Sequence, residues 1–151
     1  MTMAASISEQ RSPRPAIVAL SGKDVSEIAC FIALQSGRSR EAVEAHLRWF
    51  LLENPARRNQ DRLGFGLRFA NQLAGCILCV PQDFRYGNER ISLMGSSSFY
   101  VNHDHRGYGG RIFLKYSRLA SQWPLFGTSA NPEAAALWKA AGGKPLPYSS
   151  E

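Results

Sequence analysis

Cysteine is scarce: three residues in 151, an odd number, which argues against a disulfide framework. Cys76 and Cys79 form a Cys-x-x-Cys pair, but no further ligands follow at zinc-knuckle spacing. The pair falls in a run, Leu73 to Val80, that reads as a strand, where residues three apart point to opposite faces. Both are expected to be small core residues, and no metal site is assigned. No apolar run is as long as a membrane span. The start, Met1 to Pro15, lacks the apolar stretch of a secretory signal. Residues 1–14 are expected to be a flexible tail on a cytoplasmic protein, and 15–151 a single domain. Long blocks of like charge are also missing. Eighteen Lys and Arg against twelve Asp and Glu give a net charge of +6, which suits an anionic partner such as nucleic acid or a phosphorylated cofactor. The positive charge is scattered in small clusters, Arg38/Arg40, Arg57/Arg58/Arg62 and Arg106/Arg111. Aromatic residues are not interleaved with a concentrated basic patch, so nucleic-acid binding is the least favoured reading. No parallel βαβ unit opens the chain, which argues against a nicotinamide-binding fold.

The patterns present are those of an ordinary globular domain, 44% hydrophobic and 20% charged. Pro15 to Leu20 reads as a first strand. Asp24 to Gln35 carries Val25, Ile28, Ala29, Ile32 and Ala33 at helical spacing. Ser39 is a good N-cap for a second helix that runs to the break at Asn54-Pro55. Leu63, Phe65, Leu67 and Phe69 alternate with Gly64, Gly66 and Arg68, the period of a strand. Asn71-Gln72 turns the chain into Leu73 to Val80. Pro81 to Glu89 is expected to be a loop with Gly87-Asn88 at its turn, and Arg90 to Asn102 a long strand. A glycine-rich loop, His105 to Gly110, precedes a helix from about Arg111 to Gln122. Leu125 to Ser129 reads as a short strand, and Asn131-Pro132 starts a last helix that Gly142-Gly143 ends. The predicted fold class is α/β, in the order β-α-α-β-β-β-α-β-α: a mixed, mostly antiparallel sheet flanked by helices.

The chemistry concentrates where a strand, a glycine loop and a helix meet, from Ser96 to Arg111. Glycines let backbone N–H groups approach a ligand, and the helix places its positive end at the same spot, a combination that binds phosphate. A tight strand-to-helix turn explains the same glycines equally well. The segment resembles the pyrophosphate loop of the GNAT (GCN5-related N-acetyltransferase) superfamily, Gln/Arg-x-x-Gly-x-Gly/Ala. Two registers fit. In one, Arg106 and Gly109 match and Arg111 replaces the final small residue. In the other, Gly107 and Gly109 match and Asp104 replaces the leading residue. The first keeps the usual distance from Val101 and is preferred; the second better places Ile112 and Phe113 at buried helix positions. A second stretch, Asn131, Ala134, Leu137, Trp138, Gly142 and Gly143, is similar to the family's Asn-x-x-Ala-x-x-Φ-Tyr-x-x-x-Gly-Phe, and the element order agrees. The resemblance covers about Ala16 to Lys144.

It implies acetyl-CoA, or another acyl-CoA, as cofactor. The backbone from Arg106 through Gly107, Tyr108, Gly109 and Gly110 to Arg111 would hold the pyrophosphate. Asn131 would meet the pantetheine arm, or serve as a plain helix cap. A backbone N–H near Tyr100 or Val101 would polarise the thioester. The implied activity is transfer of an acetyl group to an amine by direct attack. The family's usual proton donor is a tyrosine, replaced here by Trp138, whose indole N–H does not titrate usefully; water, Ser129 and Tyr148 are the substitutes to weigh, and the sequence does not choose among them. His103 and His105 have suitable intrinsic pKa values for a base but flank the phosphate loop, and Asp83 and Glu89 sit in the loop before the long strand. Trp49, Phe50 and Tyr86 are candidate walls of an acceptor pocket, with core packing the simpler reading of the first two. The family's closing hairpin has no counterpart after Gly143: either a partner chain completes the sheet, or the acceptor site is open, or this is a shortened relative, and an uncovered sheet edge leads us to expect a homodimer. The competing reading, motivated by Trp138 and that missing hairpin, is a CoA-binding module without transferase activity.

Overall fold

The computed structural model describes residues 13–58 and 62–146. The first twelve residues of the expected tail, and Tyr148, lie outside them. Strand β1 (Ala16–Leu20) leads through a short 3₁₀ turn into α1 (Val25–Ser36). Gly37, left-handed at φ 69°, ends that helix. Helix α2 (Arg40–Leu47) starts at Ser39, whose hydroxyl accepts the Ala42 N–H at 3.2 Å, and continues as a π-helical turn over Arg48–Leu52. Three strands come next, β2 (Gly64–Phe69), β3 (Gln72–Tyr86) and β4 (Glu89–Val101), then α3 (Gly109–Ser117), β5 (Leu125–Phe126) and α4 (Pro132–Ala140). This is the element order read from the sequence.

The five strands form one sheet in chain order, antiparallel except for the parallel pairing of β4 with β5. Each face carries its own core. On one, α1 and α2 cover Leu20, Cys76, Leu78 and Val80 with Val25, Ile28, Ile32, Val43, Leu47 and Leu51. On the other, α3 sets Ile112, Phe113 and Tyr116 against Phe65, Leu67, Ile77 and Cys79, with Trp138 of α4 packed beside them. Cys76 and Cys79 are therefore buried on opposite faces and cannot share one ion. Leu63 departs from its predicted alternation: it joins the α1–α2 core while Phe65 joins the other. The change of face occurs at Gly64, where a Cβ would stand 2.1 Å from the Ile77 carbonyl oxygen.

The expected loop Pro81–Glu89 is instead the tip of a long hairpin. Pro81 to Tyr86 pair with Met94 to Glu89, and Gly87, at φ 60°, opens a two-residue turn. Pro81 is tolerated because its missing N–H falls on the side away from β4. The Met94 N–H points across to the Pro124 carbonyl, so Pro81 and Met94 exchange no hydrogen bond, and β2 has already ended on the proline's other side. The Pro81 carbonyl is taken up there by Asn54 Nδ2 at 3.0 Å.

Two further segments differ from expectation. The glycine-rich stretch is wound as a 3₁₀ helix over His103–Tyr108, running straight into α3, which begins at Gly109 rather than at Arg111. Strand β5 is two residues long, not five, because it leaves β4 after pairing at Met94/Leu125 and Gly95/Phe126. Among the described residues no helix is long and apolar enough to cross a membrane.

Candidate active site

The separation of β4 from β5 makes the site. Opposite Ile77, β4 carries one extra residue: Cys76 pairs with Tyr100 but Leu78 with Ser97. The bulge centres on Ser98, whose φ of 49° is left-handed. A bulge bends its strand and increases the local twist, and here it turns the end of β4 away from the line of β5. A cleft of about 200 Å³ opens between them, lined by Ser96, Ser97, Ser98 and Phe99 on one side and by Phe126 to Ala130 on the other. Its floor reaches Phe113 and Trp138 on one face of the sheet and Phe50, Val80 and Gln82 on the other, so it passes through the sheet rather than lying on it.

The bulge is fixed from below. The Cys76 thiol donates to the Ser98 carbonyl at 3.5 Å. Burial pushes that thiol up to about 12, and a hydrogen bond with the Tyr100 backbone offsets part of the rise. The Tyr100 backbone is thus turned toward β3, and its ring packs on the α1–α2 core. The Asn102 N–H donates to the Ala74 carbonyl on β3 at 2.9 Å, so by strand alternation the Val101 N–H faces the open side. Of the two amides, Val101 is the one that faces away from β3. Below the root of the cleft the buried Tyr116 hydroxyl donates to the Met94 carbonyl at 3.0 Å, and desolvation raises its pKa further from neutrality.

Trp138 is wall, not acid. Its indole stands edge-on to Phe113 and Tyr116, at centroid distances of 5.3 and 5.9 Å. Gly127 leaves room for it: a Cβ there would lie 3.1 Å from the indole nitrogen. Ser129 is exposed on the cleft rim. Asn131 caps α4, its Oδ1 accepting the Ala134 N–H at 2.8 Å, which leaves its amide nitrogen to donate elsewhere. Around the start of α3, Gly109 is buried while Arg106, Gly107, Gly110 and Arg111 are exposed. The Arg111 guanidinium lies 5.4 Å over the Tyr108 ring. The 3₁₀ winding uses backbone donors internally: His105 N–H bonds Asn102 and Gly109 N–H bonds Arg106.

The other titratable candidates are occupied or remote. His105 Nδ1 lies 2.7 Å from Asn102 Oδ1, and its ring packs on Phe69 at 4.6 Å. His103 is exposed beside it. Asp83 is held by the Arg90 guanidinium and by Ser92, contacts that lower its pKa, Arg90 first. Glu89 sits exposed at the hairpin tip, as does Tyr86, which lines neither cavity. Trp49 is 65% exposed, two residues off the buried stripe Val43, Leu47, Leu51, so it is not core. With Phe50 it lines a second groove, of about 570 Å³, that meets the cleft at Phe50, Val80 and Gln82.

Sequence reasoning expected the backbone of Ser96–Asn102 to face the pantetheine arm, but it did not single out the bulge at Ser98, nor Phe126, Gly127 or Thr128. The available signal was three consecutive serines in mid-strand, where a strand covered on both faces should be apolar.

No family model matches the sequence, and no curated protein matches it significantly. The fold has many counterparts among solved structures. A ribosomal-protein-alanine N-acetyltransferase from Brucella melitensis biovar Abortus aligns over 91% of this chain and 97% of its own, at 20% identity and a TM-score of 0.59. A GCN5-related N-acetyltransferase from Ralstonia eutropha aligns over 91% and 97%, at 16% identity and a TM-score of 0.64. A predicted acetyltransferase from Clostridium acetobutylicum, solved with acetyl-CoA, aligns over 91% and 95%, at 14% identity and a TM-score of 0.61.

Proposed function

We propose that this chain, which has the fold of the GNAT acetyltransferases, is an acyl-CoA-dependent N-acyltransferase that moves an acetyl group from acetyl-CoA to an amine. The observation that carries the reading is the cleft opened by the Ser98 bulge, which joins both faces of the sheet. A thioester threaded between β4 and β5 from the α3 side would present its carbonyl to an amine arriving from the α1–α2 side. Aligning the two reactants in this way is itself a large part of catalysis.

In this reading the residues Ser96–Val101 run beside the pantetheine arm, and Asn131 offers it the amide nitrogen left free by capping. The Val101 N–H polarises the thioester carbonyl. Arg106 and Arg111 meet the pyrophosphate at the start of α3, where the Gly109 N–H is already bonded to the Arg106 carbonyl, so the charge falls chiefly to the two guanidinium groups. The neutral amine attacks the thioester carbon, the C–S bond breaks, one proton leaves the nitrogen, and one reaches the departing thiolate. Ser129, on the rim, is the described hydroxyl to test as the thiolate's donor, with Tyr148 the second. The Arg106→Ala/Arg111→Ala double variant should weaken acetyl-CoA at least tenfold in calorimetry while leaving the unfolding midpoint unchanged. Equal affinity in the variant would remove these arginines from the cofactor site.

The alternative, a CoA-binding module without transfer, is favoured by Trp138 in place of a titratable hydroxyl. Release of CoA from acetyl-CoA that depends on added amine and yields N-acetylated product would decide for transfer. Binding without amine-dependent release across a broad panel would decide for the module.

A further inference from the structure

The groove beside the cleft has a composition of its own. One wall is the π-helical turn and the start of the loop after it, with Trp49, Glu53 and Pro55; the other is the hairpin arm, with Pro81 and Phe84. Its volume falls in the range of small-molecule sites, and its surface is mainly apolar and aromatic, with Glu53, Asn54, Gln82, Asp83 and Arg90 as the polar groups. Trp49 is 65% exposed and Phe84 46% exposed, across the groove from one another. Among the described residues, His46 contacts Trp49 and Phe126 contacts Phe84, and the remaining aromatic surface is open.

The groove's charges are unevenly balanced. Asp83 is neutralised by Arg90 and further bonded by Ser92. Among the described residues no cation lies within ion-pair distance of Glu53. The charged side chains lining the groove are Glu53, Asp83 and Arg90; with Asp83 taken by Arg90 and also acted on by Arg58 nearby, Glu53 is the lining carboxylate with no ion pair among the described residues, and it stands beside aromatic faces. A carboxylate next to an open indole recognises a cation attached to an apolar body, by ion pairing and by the attraction of the ring face for positive charge.

We infer that this groove selects the acceptor: a primary ammonium carried on an aromatic or comparably apolar body, with Glu53 drawing the charge and Trp49, Phe50 and Phe84 holding the body. The inference rests on the acyltransfer reading, since the groove meets the cleft at Phe50, Val80 and Gln82. Polyhydroxylated or polycationic amines do not fit walls with this little polar surface. Acidic amines are repelled by Glu53.

The test is calorimetric binding of phenethylamine at neutral pH to the full chain. Phenethyl alcohol, of the same shape without the charge, and ethanolamine, with the charge but without the ring, serve as comparisons. Phenethylamine is expected to bind at least tenfold more tightly than either. Trp49→Ala is expected to weaken it about tenfold, Trp49→Phe to restore most of the loss, and Glu53→Gln to bring amine and alcohol to similar affinities. Trp49 and Glu53 are both exposed, so these variants should fold, and Leu34→Ala, at an exposed site on α1, controls for apolar surface in general. Equal binding of amine and alcohol by the native chain, equal binding of ethanolamine, or unchanged affinity in Trp49→Ala would overturn the assignment. Acetyl-CoA binding is measured in parallel. Its absence would count against the cofactor cleft and leave the groove result standing, whereas acetyl-CoA binding without amine discrimination would count against the groove alone.

Discussion

Cys76 shows how one buried side chain can set a pH limit on the whole fold. Its thiol has an ordinary value of 9.0 and is pushed up to about 12 by burial. Between those values the unfolded chain gives up the proton and the native chain keeps it, so stability falls as pH rises. Tyr116, raised from 10.0 chiefly by desolvation, acts in the same direction higher in the range. Each such group costs about 1.4 kcal/mol per pH step across its window. Urea unfolding should therefore be flat near neutrality and fall from about pH 9 upward, and Cys76→Ala should flatten the first part of the fall. An unchanged slope would mean that the thiol is not the titrating group. In the native state only Cys30, which is exposed, should react quickly with a thiol reagent, and all three cysteines should react after unfolding. Gly64 is the second residue whose identity is dictated by its surroundings. A Cβ 2.1 Å from a backbone carbonyl cannot be relieved by a rotamer change. Gly64→Ala should cost more than about 3 kcal/mol in chemical denaturation, and a loss below about 1 kcal/mol would contradict the strand geometry.

Among the elements, β4 carries the functional argument. A serine at φ 49° is strained by roughly 1–2 kcal/mol relative to a glycine there. Ser98→Gly should therefore stabilise the fold or leave it unchanged, and should preserve acetyl-CoA binding. Ser98→Val, β-branched and poorly suited to this conformation, should destabilise it and reduce acetyl-CoA affinity at least tenfold. Calorimetry on both variants checks this; equal affinities would detach the bulge from the cofactor. The bulge was not legible in the sequence because serine carries no mark of positive φ, and the strand pattern continues on either side of it. The hairpin arm was missed for a related reason. Pro81 reads as a breaker, and only the pairing shows that its missing donor falls where no partner is needed. By contrast, the helix starts at Ser39 and Asn131, the turn at Gly87, and the burial of Ile112, Phe113 and Tyr116 were all legible, since each depends on local chemistry or a single periodicity. Trp49 was misplaced because apolar residues along α2 look alike until the π-helical turn fixes which side faces out.

At the scale of the molecule, the order of elements and the α/β class were written in the alternation of periods along the chain, and the solved folds agree with them. The position of the cleft was not, because it depends on where two strands part. Strand β5 has only β4 as a neighbour among the described residues, and an open sheet edge invites pairing. We expect a homodimer joined at this edge. Sedimentation velocity across a hundredfold concentration range should show a dimer at the upper end, and a monomer throughout would refute it.

Acceptance of acetyl-CoA by the gap between β4 and β5 is tested most directly by thermal unfolding of the native chain and of Ser129→Trp, which fills the rim from an exposed position. Each is melted with acetyl-CoA and with adenosine bisphosphate alone. At about a hundred times the dissociation constant, a ligand stabilises by roughly 2.7 kcal/mol. A clear upward shift of the native chain with acetyl-CoA, smaller with the bisphosphate and lost in Ser129→Trp, is the predicted result. No shift at millimolar acetyl-CoA, or a shift that survives the blocked rim undiminished, would contradict it.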